Sequence, residues 1–126
     1  MVRREVEAVN VSVKIFMAEV NYIDVCGEDD FWNGEMEAFD VGDYEVLLVK
    51  VNGKYHAYNG ICPHQSTSLV EGELTEDGII ICKAHEWHFS AESGKGINPA
   101  NECLQIFPVK VEGGRVFVGS EPYPKA

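Results

Sequence analysis

The sequence predicts an all-β fold, on three observations. Apolar residues alternate or run together in short stretches. Turn-forming residues recur between those stretches, and sustained helical periodicity is missing beyond the first ten residues. V-E-A-V-N-V-S-V-K-I-F-M (6–17) alternates at Val9, Val11, Val13, Ile15 and Met17, the period of a half-buried strand. G-E-D-D-F-W (27–32) reads as a single helical turn capped by Asp29 or Asp30. Y-E-V-L-L-V-K-V (44–51) and K-Y-H-A-Y (54–58) flank an Asn-Gly pair, the strongest short hairpin signal. G-I-I-I-C (78–82) is a short buried strand, and E-W-H-F-S (86–90) a strand leaving the same region. L-Q-I-F-P-V-K-V (104–111) and R-V-F-V (115–118) form a second hairpin through E-G-G, with Pro108 at an edge or bulge. No internal repeat is legible.

The chain has 126 residues, with 21 Asp and Glu against 10 Lys and Arg, a formal net charge of −11. That length suits one domain with one core. So acidic a surface repels phosphate, which excludes nucleic acid and anionic membrane as partners. No apolar run approaches the roughly 18 residues of a membrane-spanning helix. Arg3 and Arg4 are followed by Glu5 and Glu7 rather than an apolar stretch, so no leader is read and a cytoplasmic location is expected. Disulfides are unexpected there, and four cysteines need other roles. The span Ile15–Val49 lacks Lys and Arg but holds Glu19, Asp24, Glu28, Asp29, Asp30, Glu35, Glu37, Asp40, Asp43 and Glu45. It confers solubility and, as the sharper expectation, docks on a basic patch of a protein partner.

The chemistry concentrates in two short motifs. I-C-P-H-Q-S-T (61–67) places Cys62 and His64 around Pro63, and I-C-K-A-H-E-W-H-F (81–89) places His85 three positions after Cys82. Short spacings let one loop present both donors to one centre, and Pro63 restricts the first loop before any metal arrives. A structural zinc site of two Cys and two His can be built from these residues. So can a Rieske [2Fe–2S] cluster, in which two His replace two Cys on one iron. In that arrangement Cys62 and Cys82 hold the inner iron, while His64 and His85 hold the outer iron that accepts the electron. His88 is read as a surface residue, His56 as a strand histidine, and Cys26 and Cys103 as small buried hydrophobes.

The motifs C-P-H-Q and C-K-A-H-E-W-H-F, with the loop between them, resemble the Rieske family over most of residues 20–120. D-D-F-W-N-G-E-M-E (29–37), C-P-H-Q (62–65), C-K-A-H-E-W (82–87) and G-I-N-P (96–99) are most similar to the ferredoxins of toluene and alkene monooxygenase systems. The resemblance implies stacked antiparallel sheets with a small cluster-binding subdomain. Residues 1–18 are then an N-terminal extension (an extra strand or an arm), 19–120 a single domain with the subdomain at about 59–100, and 121–126 a tail. It implies one [2Fe–2S] cluster held by Cys62, His64, Cys82 and His85, supported by Pro63, Gln65, Trp87 and Pro99. S-G-K-G-I-N-P (93–99) resembles the proline-containing loop that covers the cluster.

The implied function is one-electron transfer from an NADH-dependent flavin and iron–sulfur reductase to a diiron hydroxylase, with no catalytic residue in this chain. The alternatives are a ferredoxin of a ring-hydroxylating dioxygenase, a zinc-stabilised binding module, and a nitrite reductase small subunit. Respiratory Rieske proteins carry an extra cysteine in each cluster loop and Gly-Ser after the second histidine. Here Thr67 and Ala84 occupy the former positions, and Glu86 and Trp87 follow His85. Fewer hydrogen bonds to the cluster sulfurs imply a low potential.

Overall fold

The computed structural model describes residues 4–5, 10–15, 18–63, 67–83, 87–98 and 102–123. Its strands are β1 (Arg4–Glu5), β2 (Asn10–Ile15), β3 (Ala18–Gly27), β4 (Glu35–Val41), β5 (Tyr44–Val51), β6 (Lys54–Asn59), β7 (Glu73–Leu74), β8 (Ile79–Ile81), β9 (His88–Ser90), β10 (Gly96–Asn98), β11 (Ile106–Phe107), β12 (Val109–Glu112) and β13 (Arg115–Gly119). The one helical element among the described residues is a 3-10 turn, Leu69–Glu71.

Among the described residues three sheets form, in the orders β1-β4-β5-β6-β11, β10-β9-β8-β7 and β12-β13-β3-β2. All strand pairs are antiparallel except the short β1–β4 pair. The run Y-E-V-L-L-V-K-V is continuous rather than alternating because β5 is covered on both faces. Leu47, Val49 and Val51 join Met36, Ala38 and Tyr58 in one core, which also takes Ile80 and Phe89. Val46 and Leu48 join Phe39, Val41 and Ala57 in the other, with Ile23, Val25, Val116 and Val118. The sheet holding β5 is therefore the middle of three stacked layers. Val46, Leu47, Leu48 and Val49 are each fully buried, worth about 1.5–3 kcal/mol per side chain.

Local chemistry sets the turns. Asn52 and Gly53 have φ of 52° and 77°, and Gly113 and Gly114 have 59° and 79°, the two left-handed residues of a type I′ hairpin. Pro108 stands between β11 and β12, each an edge strand of its sheet, where a residue without an N–H removes no ladder bond. The helical turn expected at 27–32 is instead a hydrogen-bonded reverse turn. The Asp30 N–H reaches the Gly27 carbonyl at 3.1 Å, and the Gly27 N–H donates to the Asp30 carboxylate at 2.9 Å. A side chain that reaches back three residues to a backbone N–H is also half of a capping box, but no helix follows: Phe31 and Trp32 are irregular and the next element is β4. Among the described residues no helix is long and apolar enough to cross a membrane.

Candidate metal centre

The two candidate cysteines arrive by the same local architecture. β6 runs out through Asn59 and Gly60, and Ile61 bridges antiparallel to Ser68. Inside that bridge the Cys62 N–H donates to the Thr67 carbonyl at 2.9 Å. β8 ends at Ile81, which pairs with His88. Inside that pair the Cys82 N–H donates to the Trp87 carbonyl at 2.8 Å. Cys62 and Cys82 therefore hold equivalent places, each just inside a closing antiparallel pair and hydrogen-bonded to the carbonyl five residues on. The sequence shows no repeat, yet the geometry occurs twice. The shared Ile-Cys dipeptide, with a histidine two or three residues after each cysteine, is the signal that could have revealed it.

Each half is tied to the central sheet. The Gly60 N–H donates to the Glu45 carbonyl at 2.7 Å, and the Leu69 N–H to the Gly60 carbonyl at 2.7 Å. The Asn59 carboxamide donates to Gln105 at 2.9 Å and accepts the Ile61 N–H at 3.0 Å. On the other half, the buried Tyr58 hydroxyl donates to the Ala91 carbonyl at 2.7 Å, joining β6 to the turn after β9. Burial, and then the Glu92 carboxylate, push the Tyr58 hydroxyl pKa up, so it remains a donor through neutral pH. Gly94 lets the backbone approach the Tyr58 ring: a Cβ there would lie 2.8 Å from its Cε1.

Cys62 and Cys82 are 3% and 1% exposed. They share one apolar cluster with Leu69, Ile80 and Phe89, against which Trp87 packs. The Trp87 ring lies 6.3 Å from that of Phe89 at 52°. Pro63 is exposed and borders a small groove with Ile61, Cys103 and Leu104. His64, Gln65, His85 and Pro99 lie outside the described residues, as do Ala84 and Glu86. Among the described residues no group of three or more His, Cys, Asp or Glu converges as a metal site.

The other sequence candidates separate. His88 lies in β9 between β8 and β10, half-buried rather than on an open surface, because its strand is flanked on both sides. His56 stacks on Tyr58 at 6.4 Å and 7°. Burial, and secondarily Lys54, lower its pKa against an opposing pull from Glu92. Cys26 is buried as expected, but Cys103 is exposed. Cys103 pairs with Lys95 in an isolated bridge, outside both cores.

The donor chemistry fits a cluster of mixed ligation. None of the four cysteines is in a disulfide. Two buried thiols sit at equivalent positions of two counterpart hairpins, each with a histidine in the stretch just beyond. Soft thiolate with imidazole is the donor set of Rieske iron–sulfur and of zinc centres. The comparisons decide between them. Residues 21–108 match the family model of the Rieske [2Fe-2S] domain. The chain is 70% identical over 107 residues to the ferredoxin component of the alkene monooxygenase system of Xanthobacter autotrophicus, covering 85% of this chain and 88% of that protein. It is 34% identical over 100 residues to the 3-phenylpropionate/cinnamic acid dioxygenase ferredoxin subunit of Escherichia coli, covering 79% and 93%. It superposes with a TM-score of 0.76 on a chain of the complex of reduced oxygenase and oxidized ferredoxin in carbazole 1,9a-dioxygenase, at 27% identity, covering 82% and 97%. With a family model over most of its length and a relative this similar, the chain belongs to the Rieske [2Fe–2S] family and carries one such cluster.

Proposed function

We propose that this chain is the ferredoxin of a multicomponent monooxygenase. It takes one electron from an NADH-dependent flavin and iron–sulfur reductase and delivers it to a diiron hydroxylase acting on alkenes or aromatic hydrocarbons. The observation that carries this reading is the 70% identity to an alkene monooxygenase ferredoxin, against 34% to a dioxygenase ferredoxin. Bound, the cluster supplies a reversible one-electron site. Cys62 and Cys82 would hold one iron of that cluster, and His64 and His85 the other. The apolar cluster around the thiols excludes water from that side. In this reading Pro63 would limit motion of the first loop, Gln65 would shape it, Trp87, packed against the apolar cluster, would shield the thiols, and Pro99 would belong to the covering segment. Thiols kept out of disulfides suit a cytoplasmic location.

The acidic turn 28–30 acts as a long-range field rather than a contact patch at the clamp, whereas Glu45 of the same span borders Gly60 in the first hairpin. The carbonyl of Glu28, in the acidic turn 28–30, accepts the Tyr55 hydroxyl at 2.7 Å. Tyr55 lies near the start of β6, and Cys62 follows the other end, about 20 Å away at roughly 3.3 Å per residue. Such a field speeds encounter with a basic partner and is screened by salt. The test is reconstitution with the hydroxylase and reductase of an alkene monooxygenase, in parallel with a ring-hydroxylating dioxygenase and its reductase. NADH-driven substrate oxidation by the first pair, slowed as salt rises, is expected. Turnover with the dioxygenase alone would replace this reading by its alternative.

A further inference from the structure

Gly72 stands where the first cysteine hairpin hands over to the sheet of the second. The chain leaves Ser68, makes the 3-10 turn Leu69–Glu71, passes Gly72 and enters β7, whose Glu73 pairs with Ile81. A Cβ built on Gly72 would collide with the Ile81 carbonyl oxygen, lie 3.1 Å from that carbonyl's carbon, and lie 3.2 Å from the Leu69 carbonyl oxygen. All three are backbone atoms and cannot rotate aside as a side-chain tip does. The φ of Gly72 is −86°, so a left-handed backbone is not what requires glycine here. Gly34, Gly53, Gly78, Gly113 and Gly114 are the opposite case, with positive φ and open space around a built Cβ.

The atoms pressed against Gly72 belong to both halves of the clamp. The Ile81 carbonyl is in the same peptide group as the Cys82 N–H, which closes the second hairpin on Trp87 at 2.8 Å. Leu69, fully buried, donates its N–H to Gly60 and accepts the Gly72 N–H at 2.9 Å, which ties this point to the first hairpin. A side chain at 72 pushes the Ile81–Cys82 peptide away from the Leu69 turn. We propose that Gly72 is a positioning residue for the metal centre: its bare Cα sets the separation between the hairpin of Cys62 and that of Cys82. The inference rests on the assignment of those cysteines as ligands of one centre.

The test compares Gly72→Ala with Gly27→Ala, a substitution whose Cβ meets the Asp30 carboxylate tip at 3.3 Å and nothing of the clamp. Each protein is purified without oxygen and assayed for iron and acid-labile sulfide per chain. The reduced EPR spectrum is recorded on what cluster remains, and native amide exchange is followed at Leu47, Leu48 and Val49 of β5. The expected result for G72A is at least a threefold loss of iron and sulfide, or altered g-values of the retained cluster. Protection in β5 should be kept, and G27A should match the parent in every readout. A parent-like cluster content and spectrum in G72A would overturn the proposal. Loss of β5 protection in G72A would overturn it too, since Gly72 would then support the fold at large and not the clamp. Cys82→Ala separates the two levels. A parent-like spectrum in C82A removes the ligand assignment itself, whereas loss of the cluster in C82A beside a parent-like G72A removes only the role of Gly72.

Discussion

Tyr58→Phe removes one atom at the junction between the central sheet and the sheet that carries Cys82. The hydroxyl is buried and donates to the Ala91 carbonyl at 2.7 Å, and the residue is 1% exposed. Deleting a buried neutral hydrogen bond, and leaving a buried carbonyl without this donor, costs about 1–2 kcal/mol. For 126 residues at roughly 2.1 cal/mol/K each, the unfolding entropy is about 265 cal/mol/K, so Tm should fall by about 4–8 °C.

The pH dependence makes this prediction specific. Burial raises the folded-state pKa of Tyr58 above its ordinary value of 10.0. A raised pKa contributes stability that is complete below the unfolded value and is lost as pH climbs above it. At pH 11 the parent loses about 1.4 kcal/mol through Tyr58 relative to pH 7, because the unfolded phenol ionises while the folded one does not. Y58F has no such loss, so its deficit should shrink to near zero at pH 11. Tyr55, pushed up to about 12 by burial first, and Tyr22, also raised, are common to both proteins and cancel. Urea unfolding followed by far-ultraviolet circular dichroism at pH 7 and pH 11 gives both numbers. A deficit that stays constant across that range would refute the buried, protonated hydroxyl. A deficit near zero at pH 7 would refute the hydrogen bond.

Phe89 is fully buried in the cluster that contains both candidate ligand cysteines, so Phe89→Ala should cost about 3–5 kcal/mol. It should also hasten bleaching of the visible absorbance in the presence of a chelator; bleaching at the parent rate would argue against that apolar wall as the cluster's shield. His56 has a pKa lowered chiefly by burial, so its neutral form contributes stability that is present above about pH 6.5 and is lost as pH falls through the folded-state value. Measured between pH 7 and pH 5, His56→Gln should flatten the stability slope, and an unchanged slope would count against it. With Thr67 where a bridging cysteine stands in respiratory relatives, potentiometry should give a midpoint below roughly +100 mV, in the lower part of the Rieske range.

The fold was legible where local chemistry and burial agree. N-G at 52–53 and G-G at 113–114 specified their hairpins, and the β-branched run of β5 marked a strand, whose cover on both faces only the packing shows. β4 was not read, since E-M-E-A-F-D-V mixes three acids with apolar residues. Only its packing shows Met36 and Ala38 facing one core and Phe39 and Val41 the other. β7 and β10 were missed because two- and three-residue strands carry no period. The Cys–His spacing identified the candidate donors, yet spacing alone left zinc open. The matched closure of the two hairpins was invisible because it is made by backbone groups of Thr67 and Trp87, which share no side-chain chemistry. Cys103 was expected to be buried on composition alone, and strand pairing at an isolated bridge placed it outside both cores.

The central claim is one [2Fe–2S] cluster with two imidazoles on one iron. Pulsed EPR of the dithionite-reduced protein tests it most directly, read on the parent and on His64→Cys and His85→Cys. The expected spectrum is a signal averaging below the free-electron value, with couplings to two histidine nitrogens in the parent. Each variant should lose one coupling or its cluster. A parent without an EPR signal that holds one zinc per chain, or a cluster signal without histidine nitrogen coupling, would contradict it.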